Sequence, residues 1–265
     1  MSFLSFKDKF FLLTGVANKK SLAYSVAKAL EAEGAKLLLS VQNDELKEKV
    51  QVLFPEAFIV VCDVAQTEQV EALGVLVAKS LGENKLSGFL HSLAFANFSD
   101  GVKPFLETSW KDFSEATHIS MYSLISLSRA LRPSLADNAS IVTISISSTR
   151  ATSYGYLGPI KACLEASVPF LAKSFSEFSK VRVNAVCAGP LKTSASAGIP
   201  GYIDNYLYAE KLTLRHEALT TQEVANTVLF LLSEKSSGIN GESVVIDAGI
   251  NSNYFDQDIV KKVMT

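Results

Sequence analysis

The chain has 265 residues, 48% of them apolar and 20% charged, with 25 basic against 27 acidic side chains and a formal charge of −2 at pH 7. That balance is ordinary for a folded globular protein and excludes the basic footprint of a nucleic-acid-binding domain. An open α/β sheet of this length is commonly one domain, and no Pro/Gly-rich linker, low-complexity tract or internal repeat marks a boundary, so a single domain over 1–265 is expected.

In chain order, the first apolar run, Phe10 to Leu13, is too brief for a signal sequence or a membrane span. No membrane association is expected, and the location is cytoplasmic, or organellar after removal of a transit peptide. Phe10 to Thr14 reads as a strand. It ends in Thr14-Gly15, and a helix opens near Ser21, so the turn between them can offer backbone N–H groups to a pyrophosphate at the helix N-terminus. The usual triple-glycine fingerprint is missing, because Val16, Ala17, Asn18, Lys19 and Lys20 follow Gly15. A bland tight turn is the competing reading.

The helix from Ser21 to Glu33 carries Leu22, Val26, Ala29 and Leu30 on one stripe and stops at Gly34. Lys36 to Val41 is the second strand. It runs into Gln42-Asn43-Asp44 with no Arg placed to clamp a 2′-phosphate, which favours NAD over NADP, although Lys47 and Lys49 lie farther on. Ala57 to Cys62 is the third strand, followed by Asp63, which can accept from an adenine amino group or cap the next helix. Gly88 to Ser92, Ser140 to Ile146, Arg182 to Cys187 and Ser243 to Asp247 complete seven strands.

Several of these strands are apolar almost throughout, as buried parallel strands are, and helical segments separate them. The fold expected is α/β, a Rossmann-type doubly wound parallel seven-stranded sheet with helices on both faces. The least regular stretch, about 193–212, follows the sixth strand, where such a sheet presents its carboxyl edge to ligands. It is expected to be a long loop serving as a substrate lid.

Tyr154 and Lys161 are seven positions apart, almost two turns of a helix, so both are expected on one helical face. A neighbouring ammonium stabilises a phenolate and lowers the pKa of a tyrosine. The same lysine can hydrogen-bond the ribose of a nicotinamide nucleotide. Pro159 between them implies that the helix starts near it or kinks. Cys62, Cys163 and Cys187 read as small core residues in a reducing compartment, and His91, His118 and His216 have no ligand spacing, so no metal is expected.

With these residues in place, the chain resembles the short-chain dehydrogenase/reductase superfamily, and within it the bacterial and plastid type of enoyl-acyl-carrier-protein reductase. The resemblance runs from Phe3 to about Asn251. It is carried by Thr14-Gly15-Val16-Ala17 with Ser21-Leu22-Ala23-Tyr24, by Gln42-Asn43-Asp44, by Cys62-Asp63-Val64 and by His91-Ser92-Leu93-Ala94-Phe95-Ala96. It continues in Ile119-Ser120-Met121-Tyr122-Ser123, Lys161-Ala162-Cys163-Leu164-Glu165-Ala166, Arg182-Val183-Asn184, Ala188-Gly189-Pro190-Leu191-Lys192-Thr193 and Asp247-Ala248-Gly249. A spacing of seven marks this branch; ordinary members place the lysine four after the tyrosine, where Leu157 stands here.

The resemblance implies hydride delivery from NADH, preferred over NADPH, to the β-carbon of a 2-enoyl thioester carried on acyl carrier protein. Tyr154 would hydrogen-bond the enolate oxygen and Lys161 the ribose. It implies cofactor contacts at Gly15, Val16, Ala17, Ser21 and Leu22, then at Gln42, Asp63 and Val64. Further contacts are implied at Ser92, Leu93 and Ala94, and at Gly189, Pro190, Leu191, Thr193 and Ala195. Ala96, Tyr154 and Ile199 would meet the substrate.

A homotetramer packed through helices within 109–134 and 160–178 is also implied. The family's second tyrosine, about ten residues earlier, has no counterpart in Ser145-Ile146-Ser147-Ser148-Thr149-Arg150. One of Ser145, Ser147 and Ser148 supplies a hydroxyl there, or the stretch is only a polar turn. Apolar residues at 199–207, namely Ile199, Tyr202, Ile203, Tyr206 and Leu207, suit an acyl chain, or are core. The competing functions are a carbonyl or hydroxyl oxidoreductase using the same pair, and a dinucleotide-binding paralogue without turnover.

Overall fold

The computed structural model describes residues 3–99, 101, 103–253 and 255–264. The ends of the expected 1–265 span, at Met1, Ser2 and Thr265, lie outside them. Strand β1 (Phe10–Thr14) leads through helix α1 (Leu22–Ala32) to β2 (Lys36–Val41), and α2 (Asp44–Leu53) leads to β3 (Phe58–Val61). Helix α3 (Thr67–Leu81) precedes β4 (Leu86–His91); α4 (Trp110–Thr117) and α5 (Ser123–Leu131) follow, then β5 (Leu135–Ile146). The second half runs α6 (Leu157–Ser176), β6 (Arg182–Ala188), α7 (Tyr202–Leu212), α8 (Thr221–Leu232), β7 (Ser243–Ile246) and α9 (Gln257–Met264).

The seven strands form one sheet in the order β3-β2-β1-β4-β5-β6-β7, and every pairing is parallel. The expected doubly wound architecture is therefore present. Its order reverses at β1, with β2 on one side and β4 on the other, and at such a switch point the loops diverge and leave a crevice beyond the strand ends.

Apolar strands have a core on each face. On one, Leu13, Leu39 and Leu90 pack against Val26, Leu30, Val228 and Leu232 of α1 and α8. On the other, Leu12, Phe89 and Ile141 meet Leu73 and Val77 of α3, Leu124 and Leu127 of α5, and Leu164 and Val168 of α6. Each such side chain, essentially fully buried, contributes about 1.5–3 kcal/mol by leaving water. These two cores hold the strand ends rigidly under the crevice.

Helices α4 and α5 are joined without a loop by a π-helical turn, His118–Tyr122. One extra residue per turn rotates the side chains that follow, and such turns recur at functional sites. Here it aims Ser120 and Ser123 at the end of β4.

Candidate active site

Gly15 sits at φ +84°, and a Cβ built on it would lie 2.0 Å from the carbonyl oxygen of Ser92. The ends of β1 and β4 thus meet backbone to backbone at the switch point, which only glycine permits. The Thr14 hydroxyl ties them together, donating to the Leu90 carbonyl and accepting from the Ser92 N–H, both at 3.1 Å. Val16 is buried beneath the turn.

The Ala17 and Asn18 N–H groups both donate to the Ser21 hydroxyl at 3.1 Å. This corrects the expectation that the turn's own amides face a ligand. Accepting both leaves Ser21 its proton to donate, and the amides of Leu22 and Ala23, in the first turn of α1, have no intrahelical acceptor. The amides left without an acceptor therefore lie at the helix mouth and not in the turn, and a helix N-terminus is the end whose dipole favours an anion.

At the end of β2, Gln42 is exposed and Asn43 caps α2 by accepting from the Leu46 N–H at 2.9 Å. Lys49 pairs with Glu45 along the same helix, so it is not aimed at the strand end. Asp63 is not the cap of α3, which Gln66 precedes. Its carboxylate accepts from the Ala65 N–H at 3.0 Å while its own N–H donates to Gln69, fixing the turn beyond β3; Val64 points into the core.

At the end of β4, His91 is wholly buried between the Ser123 and Thr143 hydroxyls, each at 2.8 Å. Ser123 donates its proton to the Ile119 carbonyl at 2.6 Å, so Nε2 of His91 must be the donor and Nδ1 the acceptor. Burial, and then the charge of Lys161, pushes the imidazole down to about 3. It is neutral at physiological pH.

The next residues are clamped by two hydroxyls. Ser120 accepts from the Phe95 N–H at 2.8 Å and donates to its carbonyl at 3.2 Å, while Tyr156 does the same for Asn97 at 2.7 and 3.3 Å. Leu93 and Ala96 are half-buried and Ala94 is exposed.

Tyr154 and Lys161 do not share a helix. Tyr154 closes a 3₁₀ turn, Thr152–Tyr154, that Gly155 ends at φ +59°, and α6 begins at Leu157 with Pro159 in its first turn. Pro is tolerated there because the first-turn N–H groups have no intrahelical acceptor, so the start-near-Pro159 expectation holds and the shared face does not. Lys161, one turn in, is 4% exposed and donates to the carbonyls of Ile144 at 2.9 Å and Leu93 at 3.4 Å.

Burial lowers Lys161 to about 8, with Glu165 and Cys187 opposing the shift, and an amine at that value is mainly protonated at pH 7. Burial raises the Tyr154 phenol to about 12, reinforced by Tyr202, so the expected lowering by Lys161 does not occur. Tyr154 keeps its proton and is a hydrogen-bond donor. Ser145 is buried and gives its hydroxyl to Glu165 at 2.5 Å, so it is not free to stand in for the second tyrosine.

Beyond β6, the Gly189 N–H donates to Ile246 at 2.8 Å, and Pro190 is half-buried. The Tyr202 hydroxyl accepts from the Leu191 N–H and donates to its carbonyl, both at 2.9 Å. The half-buried Thr193 and the buried Ser196 exchange hydrogen bonds, and Ala195 between them is exposed.

The stretch 193–212 is not a loop: Ser196–Gly198 is a 3₁₀ turn, and α7 occupies Tyr202–Leu212. Tyr202 is an anchor for Leu191, whereas Ile199 and Tyr206 are half-buried and Ile203 and Leu207 about half exposed. Cys62 and Cys187 are buried, but Cys163 is exposed on α6, against the expectation for all three.

Sequence reasoning passed over Tyr156, Glu165 as an individual residue, and the π-turn. Only Tyr156 left a legible signal, an aromatic side chain two residues from Tyr154 beside a glycine. A cleft of about 670 Å³ lined by Arg129, Arg132, Phe175 and Phe178 opens at the amino ends of β5 and β6. That is the edge opposite the crevice, and it carries none of these groups.

The strand order, the glycine-to-backbone contact at β1 and the buried lysine at the ends of β4 and β5 define a Rossmann-type α/β protein of the dinucleotide-binding class. The sequence profile described as Enoyl-(Acyl carrier protein) reductase matches residues 15–251. The chain is 36% identical over 255 residues to the NADH enoyl-[acyl-carrier-protein] reductase of Nostoc sp., covering 93% of this chain and 97% of that one.

The crystal structure of the NADH enoyl-[acyl-carrier-protein] reductase from Aquifex aeolicus superposes with a TM-score of 0.87 at 33% identity, over 93% of this chain and 97% of the other. The enoyl-(acyl-carrier-protein) reductase from Anaplasma phagocytophilum, solved in complex with NAD, superposes at 0.86 and 32% identity, over 93% and 95%. The chain belongs to the enoyl-(acyl carrier protein) reductase family.

Proposed function

We propose that this protein reduces the 2,3 double bond of an enoyl thioester carried on acyl carrier protein, in fatty-acid synthesis, with NADH preferred over NADPH. The observation that carries the reading is the buried Lys161 ammonium held at the ends of β4 and β5, with the protonated Tyr154 in the separate turn that precedes α6. The dinucleotide fits on this chain's own geometry: Gly15 lets the ends of β1 and β4 meet backbone to backbone at the switch point, and the first turn of α1 offers free amides beside the Ser21 hydroxyl. A bound nicotinamide would supply the hydride.

Gly15, Ala17, Ser21 and Leu22 line the pyrophosphate end over the buried Val16; Gln42 and Asp63 line the adenosine end over the buried Val64. Ser92, Leu93 and Ala94 flank the nicotinamide half with Gly189, Pro190, Leu191, Thr193 and Ala195. The strand end beyond β2 presents Gln42 without a directed arginine, and Lys49 is committed to Glu45, which supports NADH. Lys161 donates to ribose hydroxyls from its fixed position. Tyr154 donates its O–H to the thioester oxygen as negative charge develops there, a donor placed before the reaction begins. Ala96 and Ile199 border the acyl chain.

The protein acts as one domain, with 193–212 as a largely helical substrate lid hinged at Gly201. It works in the cytoplasm, or in an organelle, as a homotetramer packed through α4, α5 and α6, without nucleic acid or membrane; no helix among the described residues is long and apolar enough to cross one. The test is oxidation of NADH and NADPH with crotonyl and longer enoyl thioesters beside a ketone panel. Reduction of ketones with the enoyl thioesters untouched would overturn the proposal in favour of a carbonyl reductase.

A further inference from the structure

The end of β5 and the start of α6 are stitched by two adjacent residues. Ile144 gives its carbonyl to Nζ of Lys161 at 2.9 Å, and Ser145 gives its hydroxyl to Oε1 of Glu165 at 2.5 Å. Lys161 and Glu165 are four apart on α6, hence neighbours on one face. Cys187, opposite Ser145 in the β5–β6 register, faces the same carboxylate from the other side.

The hydrogen-bond acceptors of Lys161 are two backbone carbonyls, which carry no formal charge. The ionisable groups that face it are Glu165 on its own helix, Cys187 from β6 and His91 from β4. The Cys187 thiol is pushed up to about 12 by burial and then by Glu165, and His91 is neutral. Glu165 is the one negative charge among them, and a buried ammonium without such a partner is strongly disfavoured.

We infer that Glu165 is a positioning residue of this site: oriented by Ser145, its carboxylate is the counter-charge that keeps Lys161 an ammonium under the crevice at the carboxyl ends of the strands. The assignment rests on the role proposed for Lys161, but its charge balance is a property of the protein alone. Glu165→Gln is the discriminating variant because the amide oxygen still accepts from Ser145, so the stitching survives and only the charge is lost.

The direct readout is the ¹³Cε chemical shift of Lys161 against pH in the cofactor-free protein, assigned by its loss in Lys161→Met. In Glu165→Gln the titration should move down by about one pH unit, roughly a tenfold change in the ammonium-to-amine ratio. The alkaline loss of NADH affinity should move with it. Glu165→Asp, which keeps the charge, should stay near the wild type, and Ser145→Ala should shift less than Glu165→Gln in the same direction.

A Lys161 that titrates at the wild-type pH in a folded Glu165→Gln protein would overturn the inference and leave Glu165 a structural tie. Failure of the wild type to reduce enoyl thioesters would sink the proposed reaction while leaving this titration readable.

Discussion

Gly15→Ala tests the premise that the crevice is founded on backbone contact between β1 and β4. The added Cβ would stand 2.0 Å from the Ser92 carbonyl oxygen, so something must retreat by about 1 Å to reach even the 3.0 Å that real Cβ atoms essentially never undercut. The obstacle is backbone at the end of a buried strand, and the Thr14 hydroxyl already ties it in place. Left-handed backbone costs alanine about 1–2 kcal/mol and overpacking typically another 1–3 kcal/mol. The stiffer unfolded chain returns only about 0.4–1 kcal/mol.

The net is a loss of about 1–4.5 kcal/mol, which for a chain of this size lowers Tm by roughly 2–18 °C. Because the turn can yield only by moving away from Ser92, the mouth of α1 shifts with it. NADH binding should weaken at least tenfold. Urea unfolding, thermal melts and a fluorescence titration of NADH measure both effects. A variant with wild-type stability and wild-type NADH affinity would refute the contact and the cofactor site built on it.

Under the proposed reaction Tyr154→Phe removes a donor used only as charge develops, so kcat should fall by roughly 10²–10³-fold while the NADH Kd stays within about twofold. Stopped-flow turnover beside equilibrium titration separates the two. Tyr156→Phe releases Asn97 from its clamp, and the KM for the acyl thioester should rise several-fold with the NADH Kd unchanged; a higher NADH Kd instead would place Tyr156 on the cofactor side.

His91 is held down at about 3 against an ordinary value of 6.5, so the unfolded chain binds its proton more readily. Its contribution to stability is present above about pH 6.5 and is lost as pH falls toward 3, with a slope near 1.4 kcal/mol per pH unit for one proton. Urea unfolding between pH 5 and 7 should show a shallower slope in His91→Asn, and equal slopes would remove His91 as the linked group.

The strands were legible because parallel strands buried on both faces are apolar almost throughout, and their bounds came within a few residues at β1, β2 and β6. The start of β5 was missed because Asp137 and Asn138, exposed and polar, break that signature although the backbone stays extended. The stretch 193–212 was misread for the opposite reason. Its helix buries only Tyr202 and Ala209 fully, so the one-sided apolar stripe that announces an amphipathic helix is faint. The π-turn has no periodic signature at all: its extra residue is stabilised by what Ser120 and Ser123 reach, which is tertiary information.

The pair of Tyr154 and Lys161 shows why spacing alone misleads about mechanism. Seven residues would align them on one uninterrupted helix, but Gly155 turns the chain between them, and the tyrosine arrives from a separate turn. The separation has a chemical consequence. A phenol stacked above an ammonium would be drawn toward the phenolate, a poor donor; Tyr154, half-buried and raised to about 12 by desolvation and then by Tyr202 of α7, is held as the acid form. Lys161 is held charged by a different neighbour, Glu165, on the far side of the β5 end. Each group is tuned by its own surroundings to the protonation state that its proposed role requires, and the glycine between them is what permits two environments seven residues apart.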